Sequence, residues 1–352
     1  MPSYPVPLVL VFDGKTARSN FSMEMSDTNL LILALSAIGF GLYLLVKGGD
    51  WTIDSAVGIA TRFNIPKMII GFTIVAFGTS LPELIVAVNA NLKGLSGIAL
   101  GNVIGSNIAN ILLVIAIAAI VDPITTTLKD CLKDIVFLFV ATLAFAFILI
   151  YVGSVPQHIG LLMIAILLAY ITWQITSSNK KQTQDASNIS DILEDEKNAL
   201  LPPILLLILG LTGVAIGAEI LVRGAEVAAS IIGVPDALIG LTIIAIGTSL
   251  PELSTCLSAV KKGEGDIVLG NIIGSNVFNI LMIIGVTAAI KEIPAEAITP
   301  QLINFDIIVM SVISILFGTW ILWFKGLSRA TGLIMLLGYG AYIGLLYFTY
   351  MV

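Results

Sequence analysis

The chain carries one long segment twice, and that repetition constrains its fold more than any other feature. Gly71 to Leu112 reads GFTIVAFGTSLPELIVAVNANLKGLSGIALGNVIGSNIANIL, and Gly240 to Leu281 reads GLTIIAIGTSLPELSTCLSAVKKGEGDIVLGNIIGSNVFNIL. The two align without a gap at a constant offset of 169, with 25 of 42 positions identical. Both copies lie in strongly apolar surroundings. Residues of apolar type make up 57% of the chain and charged ones only 11%, against about 25% charged in a soluble domain. Apolar runs near the ~20 residues that cross a bilayer as a helix recur along the whole length. The chain therefore reads as an integral membrane protein with duplicated halves.

Ten spans are expected, at 29–47, 67–93, 97–120, 134–153, 158–176, 202–223, 236–260, 266–290, 304–325 and 329–350. Each copy of the repeat then occupies the second and third spans of a five-span half. An odd number of spans per half inserts the second copy upside down relative to the first. The expected fold is an all-α membrane protein of ten transmembrane helices in two inverted-topology five-helix repeats. Residues 1–28 read as a poorly ordered N-terminal tail, with Met23 or Met25 as alternative starts. Val6 to Phe12 is too short for the core of a signal peptide. Residues 29–176 form the first repeat, 177–201 a cytoplasmic linker and 202–352 the second repeat.

The linker holds the one long polar stretch, Ser177 to Asn198, where Lys180, Lys181 and Lys197 mix with Asp185, Asp191, Glu194, Asp195 and Glu196. A solvated connection is the simpler reading, and a regulatory cation site the alternative. Orientation follows from the 17 lysines and arginines. Those after odd-numbered spans, such as Lys67, Lys129, Lys133, Lys261 and Lys262, outnumber Lys15, Arg18, Lys93, Arg223 and Lys291 on the other side. The excess places the central loop in the cytoplasm and both termini outside.

The inventory excludes several chemistries. There is one histidine, His158, so a transition-metal site built from histidines is ruled out. Cys131 and Cys256 do not make a disulfide framework. No P-loop is present, which leaves an ATP-driven pump unsupported. No catalytic or cofactor-binding residue is expected, and neither is a nucleic-acid partner.

The chemistry of the repeat lies in GTSLPE, at Gly78–Glu83 and Gly247–Glu252. Pro82 has no N–H to give the carbonyl of Gly78, so the helix is interrupted in mid-membrane. Ala76, Thr79, Ser80 and Glu83 share one helical face, as do Ala245, Thr248, Ser249 and Glu252. In the following span, GNxIGSNxxN sets Ser106 four residues before Asn110, and Ser275 four before Asn279. Gly101, Gly105, Gly270 and Gly274 permit close helix approach. Two inverted copies brought together would gather two carboxylates, two amides, several hydroxyls and freed carbonyls. Hard cations such as Ca²⁺, with six to eight oxygen ligands, want that set. Ser80-x-x-Glu83 also fits a capping box, and Asn110 and Asn279 also fit interhelical hydrogen bonding. A carboxylate at membrane depth costs about 2.5–3.5 kcal/mol even on insertion scales and usually marks an ion pathway. Outside the repeat, Glu219 reads as a structural or gating acid. Asp134 and Asp306 read as helix-start acids, and Trp51, Trp173, Trp320 and Trp323 as interfacial anchors.

The paired GTSLPE and GNxxGSNxxN segments resemble the α-repeats of the cation/calcium antiporter superfamily, in its prokaryotic-type sodium/calcium exchanger branch. The resemblance implies an antiporter that exchanges about three Na⁺ for one Ca²⁺ by alternating access. It implies ion ligands at Ala76, Thr79, Ser80, Glu83, Ser106 and Asn110, and at Ala245, Thr248, Ser249, Glu252, Ser275 and Asn279. It also implies that spans 1 and 6 slide past the other eight, with Gly39, Gly41, Gly210, Gly213 and Gly217 giving them smooth faces. Na⁺ and Ca²⁺ are then transported substrates, no cofactor is needed, and the chain is taken as monomeric. Some relatives carry Asp where this chain has Asn279, which argues here against potassium co-transport. The proton-coupled branch carries its glutamates in a GNxxE motif that these segments do not match. Ca²⁺/H⁺ or Na⁺/H⁺ exchange on the same fold is the alternative, and a cation channel or membrane scaffold is a third reading.

Overall fold

The computed structural model describes residues 27–126, 128–185, 201–232 and 247–351. The tail up to residue 26, most of the central loop (186–200) and the first part of the expected seventh span (236–246) lie outside the described residues. Eleven helices follow one another in the described chain. They are α1 (Asp27–Arg62), α2 (Lys67–Thr79), α3 (Leu81–Leu92), α4 (Ser96–Val121), α5 (Leu128–Phe147), α6 (Gln157–Asp185), α7 (Leu201–Ile231), α8 (Leu250–Lys261), α9 (Gly265–Ile290), α10 (Leu302–Phe324) and α11 (Arg329–Met351). Eight helices are long and apolar enough to cross a membrane, or nine if α2 and α3, bent by 45° at Ser80, count as one span. Two short strands, β1 (Ile124–Thr125) and β2 (Gly326–Leu327), pair antiparallel with Ile124 opposite Leu327.

Burial sorts these helices into layers. From Ile267 to Gly285 every residue of α9 is buried, and α4 is mostly buried. These two carry the repeat's serines and asparagines into the centre of the protein. By contrast α1, α6, α7 and α11 leave large apolar side chains outward, among them Phe40, Leu162, Leu209 and Leu337. In water such a surface would be costly; in lipid it is the expected exterior.

Helix α1 runs well past the expected end at residue 47, to Arg62, and spans about 54 Å over its 36 residues. Gly48 and Gly49 each cost about 1 kcal/mol of helix propensity, yet they do not end the helix. A Cβ on Gly48 would stand 2.7 Å from the Gly210 carbonyl and 2.7 Å from the Val214 amide. Gly41 faces Gly217 in the same way, at 2.7 Å. Gly41, Gly48, Gly210 and Gly217 therefore bring α1 and α7 into backbone contact with each other. These four are not a smooth surface turned toward the remaining helices; Gly49 lies against Ser254 of α8, and Gly39 meets nothing within 4 Å among the described residues. Side-chain volume has been removed where two helices cross, and dispersion contact replaces it.

Loop contacts define the two ends of the bundle. At one end Lys67 pairs with Glu264 at 2.7 Å, Lys262 with Asp54 at 2.7 Å, and Thr126 donates to Asp266 at 3.1 Å. At the other end Asn91 Nδ2 donates to the Lys291 carbonyl at 2.6 Å, and Val155 bridges Ile293.

Asp134 and Asp306 do not act as helix-start acids. Asp134 lies inside α5 and accepts from Tyr170 Oη at 2.6 Å and Gln174 Nε2 at 2.7 Å, while Asp306 accepts from Tyr342 Oη at 3.2 Å. Asp134 is buried and Asp306 half-buried, and each takes side-chain donors from the next span in preference to the weaker field of a helix end. Glu219 pairs with Arg223 one turn along α7 at 2.5 Å.

Candidate ion-binding site

Each GTSLPE segment breaks its helix at the serine. Ser80 has φ −86° and ψ 2°, and Ser249 has φ −90° and ψ 2°. Proline follows two residues on in both, where its missing N–H and fixed φ suit the first turn of a new helix. The carboxylates Glu83 and Glu252 therefore sit in the first turns of α3 and α8, at the positive ends of those helices. Each is 1% exposed.

In the next span both asparagines open a wide turn. A π-helical turn runs over Asn110–Val114 in α4 and over Asn279–Ile284 in α9. Such turns are rare and concentrate at functional sites, because the extra residue turns side chains out of the α-helical register. Helix α3 packs on the Asn279 turn, and α8 on the Asn110 turn. Each glutamate-bearing helix therefore meets the asparagine turn of the other repeat. Close approach makes this possible: a Cβ on Gly71 would meet the Ile267 carbonyl at 2.6 Å, and one on Gly270 or Gly274 would run into the backbone at Met68 or Phe72. Gly101 and Gly105 meet nothing within 4 Å among the described residues. The positions equivalent to Met68 and Phe72 in the second repeat, 237 and 241, fall outside them.

The side chains meet across the repeats. Ser80 Oγ donates to Glu252 Oε1 at 3.3 Å, and Ser275 Oγ donates to the same oxygen at 3.5 Å. Ser80 makes no side-chain cap to its own helix, so the capping-box geometry is not formed. Thr79 Oγ1 lies 3.3 Å from the Ala76 carbonyl and 3.4 Å from Asn271 Oδ1. Ala76, Ser106, Ser249, Ser275, Asn110 and Asn279 are buried, and Thr248 is half-buried. Ala245 lies outside the described residues.

Five oxygens of these residues are buried with no hydrogen-bond partner among the described residues: Glu83 Oε2, Glu252 Oε2, Asn110 Oδ1, Asn279 Oδ1 and Ser249 Oγ. Leaving one buried acceptor unsatisfied costs about 1–3 kcal/mol, and a buried unpaired carboxylate more. A bound cation would satisfy these two carboxylates and two amide carbonyls together. No histidine or cysteine joins the set, so the donors suit hard cations.

Besides Asn271, two asparagines bond the site residues without a place among the sequence-derived ligands. Asn107 Oδ1 accepts from Asn279 Nδ2 at 3.0 Å, and Asn276 Oδ1 accepts from Asn110 Nδ2 at 3.1 Å. Their only signal in the sequence is that the asparagine of GSN recurs in both copies. Helix α7 passes over both helix breaks, with Leu211 against Gly78 and Val222 against Gly247.

Comparison with known proteins agrees with this arrangement. The model of the sodium/calcium exchanger protein family matches residues 33–176 and 202–348. An uncharacterized membrane protein of Methanocaldococcus jannaschii is 34% identical over 83% of this chain and 92% of its own length. The sodium/calcium exchanger MaX1 of Methanosarcina acetivorans is 32% identical, over 92% of this chain and all of its own length. The solved structure of the sodium-calcium exchanger NCX_Mj soaked with zero Na⁺ and Ca²⁺ superposes with a TM-score of 0.77 at 33% identity, covering 90% of this chain and 99% of that one. A glycine-crossed helix pair, two broken helices and a buried set of hard oxygen donors thus coincide with a match along nearly the whole chain, and the protein belongs to the sodium/calcium exchanger family.

Proposed function

We propose that this protein exchanges Na⁺ for Ca²⁺ across the membrane by alternating access, three Na⁺ for one Ca²⁺ and with net movement of charge. The observation that carries the reading is the group of buried, unpartnered oxygens contributed by both repeats, Glu83 and Asn110 from one and Glu252 and Asn279 from the other. In this reading Ala76, Thr79, Ser80, Glu83, Ser106 and Asn110 join Ala245, Thr248, Ser249, Glu252, Ser275 and Asn279 as the ion ligands. Carboxylates supply charge, while hydroxyls and carbonyls replace the hydration shell.

Ten spans in two inverted repeats belong to the same proposal. Three relations between equivalent positions support it: the matching backbone of Ser80 and Ser249, the paired π-helical turns, and amide contacts that exchange roles between repeats. The contacts of Lys67 with Glu264 and of Asn91 with Lys291 support assigning the loops to two opposite ends. The excess of Lys and Arg favours a cytoplasmic central loop with both termini outside. Ion exchange then needs α1 and α7, joined through their glycines, to shift together over the helix breaks at Gly78 and Gly247.

Uptake of ⁴⁵Ca²⁺ into proteoliposomes tests the reading. Vesicles loaded with Na⁺ are expected to accumulate Ca²⁺, and vesicles loaded with choline or K⁺ are not. Uptake driven by a pH gradient without Na⁺ would replace Na⁺ exchange with proton exchange on the same site.

A further inference from the structure

An asparagine side chain is nearly symmetrical in shape but not in polarity, since one end accepts hydrogen bonds and the other donates them. A cation needs the accepting end, so a ligand asparagine must be held in one of two orientations. Asn110 and Asn279 are both tied by the amide nitrogen, to Asn276 Oδ1 at 3.1 Å and to Asn107 Oδ1 at 3.0 Å. In both, Oδ1 is left buried without a hydrogen-bond partner among the described residues. Positions 107 and 276 are equivalent at the offset of 169, and so are 110 and 279. Each repeat thus bonds the amide of the other; Asn276 Nδ2 has no hydrogen-bond partner among the described residues, so the direction is anchored by a further contact only at Asn107. All four side chains are at most 1% exposed, so bulk water is not at hand to satisfy the reversed orientation.

The polarity of Asn107 has its own source. Its Nδ2 lies 3.4 Å from Met310 Sδ, a thioether that accepts and has nothing to donate. With the NH₂ end turned to sulfur, Oδ1 is the end that remains for Asn279.

We infer that Asn107 and Asn276 are positioning residues of the ion site, which hold Asn279 and Asn110 with their carbonyl oxygens inward, and that Met310 sets the orientation of Asn107. The inference rests on the ion-site reading proposed above. It has a consequence that a simple packing role lacks. If residue 279 were an aspartate, both of its ends would be accepting oxygens, and nothing would need to orient it.

The experiment is Na⁺-driven ⁴⁵Ca²⁺ uptake in proteoliposomes, read as the half-saturating Ca²⁺ concentration and the maximal rate. Asn107→Ala is expected to raise half-saturation about tenfold, the scale of one lost buried hydrogen bond, with a smaller change in maximal rate. In the Asn279→Asp background, Asn107→Ala is expected to shift half-saturation by less than about twofold. An effect undiminished in that background overturns the proposal, because helix packing would lose the same contact in both. So does an unchanged half-saturation in Asn107→Ala while Asn279→Ala and Glu252→Gln impair uptake. If those two reference variants transport normally, the ion-site reading itself has failed. Should Asn107→Ala not yield folded protein, Met310→Leu removes the thioether acceptor at nearly constant volume. It is expected to raise half-saturation about threefold, and no change there also overturns the proposal.

Discussion

Ser80 of the first repeat donates its hydroxyl hydrogen to Glu252 of the second, across 3.3 Å of the protein's centre. The bond joins residues 172 positions apart. It leaves Oε2 of the same carboxylate buried and unpartnered among the described residues, as Oε2 of Glu83 is. In the proposed function the two acids face one ion site, which neither half alone would build.

Glu83→Gln and Glu252→Gln are each expected to reduce Ca²⁺ uptake to background while the protein still reaches the membrane. A divalent ion away from water needs both negative charges, and an isosteric amide leaves the fold intact. Uptake is measured in proteoliposomes, with expression and gel-filtration profile as controls. Near-native uptake by either variant would return that glutamate to a structural role at its helix start.

Gly48→Ala is expected to lower the melting temperature by about 5 °C in detergent, the effect of overpacking by roughly 1–3 kcal/mol. The added methyl would stand 2.7 Å from backbone atoms of α7, which the helix pair can accept only by separating. Gly39→Ala, with nothing within 4 Å among the described residues, is expected to be neutral or slightly stabilising, since alanine favours helix by about 1 kcal/mol. Equal melting temperatures for the two variants would contradict the crossing described for α1 and α7.

A three-for-one exchange moves one net positive charge per cycle in the direction of Na⁺ flow, and so couples to voltage at about 2.3 kcal/mol per charge per 100 mV. Ca²⁺ uptake against internal Na⁺ should accelerate when valinomycin and a K⁺ gradient make the vesicle interior positive, and slow when it is negative. Flux that ignores the imposed voltage, with its Na⁺ dependence intact, would point to an electroneutral two-for-one exchange.

A single cysteine at position 187, with Cys131 and Cys256 replaced, is expected to react with an impermeant maleimide only from the cytoplasmic side. The position lies in the central loop, outside the described residues, so the expectation rests on the distribution of Lys and Arg. Labelling in intact cells would invert the assigned orientation.

Much of this protein was legible in the amino-acid sequence because the bilayer permits so few solutions. Apolar runs had to be helices, since backbone groups in lipid must be satisfied within the segment. A motif carried twice at a fixed offset pointed to a shared centre, and Pro82 and Pro251 marked where helices break. Other features came only from tertiary structure. The length of α1 followed from its contact with α7, because backbone packing at Gly41 and Gly48 outweighs the poor helix propensity of glycine. Asp134 and Asp306 looked like helix-start acids until the tyrosines of the next spans were seen to bond them, a pairing across 36 residues that no local pattern announces. Asn107 and Asn276 showed in the sequence only as the asparagine of GSN recurring in both copies. Which end of an amide faces a cation is decided by what the other end touches, and those partners come from distant parts of the chain. Sequence specifies which chemical groups lie at which depth; only packing decides which of their atoms meet.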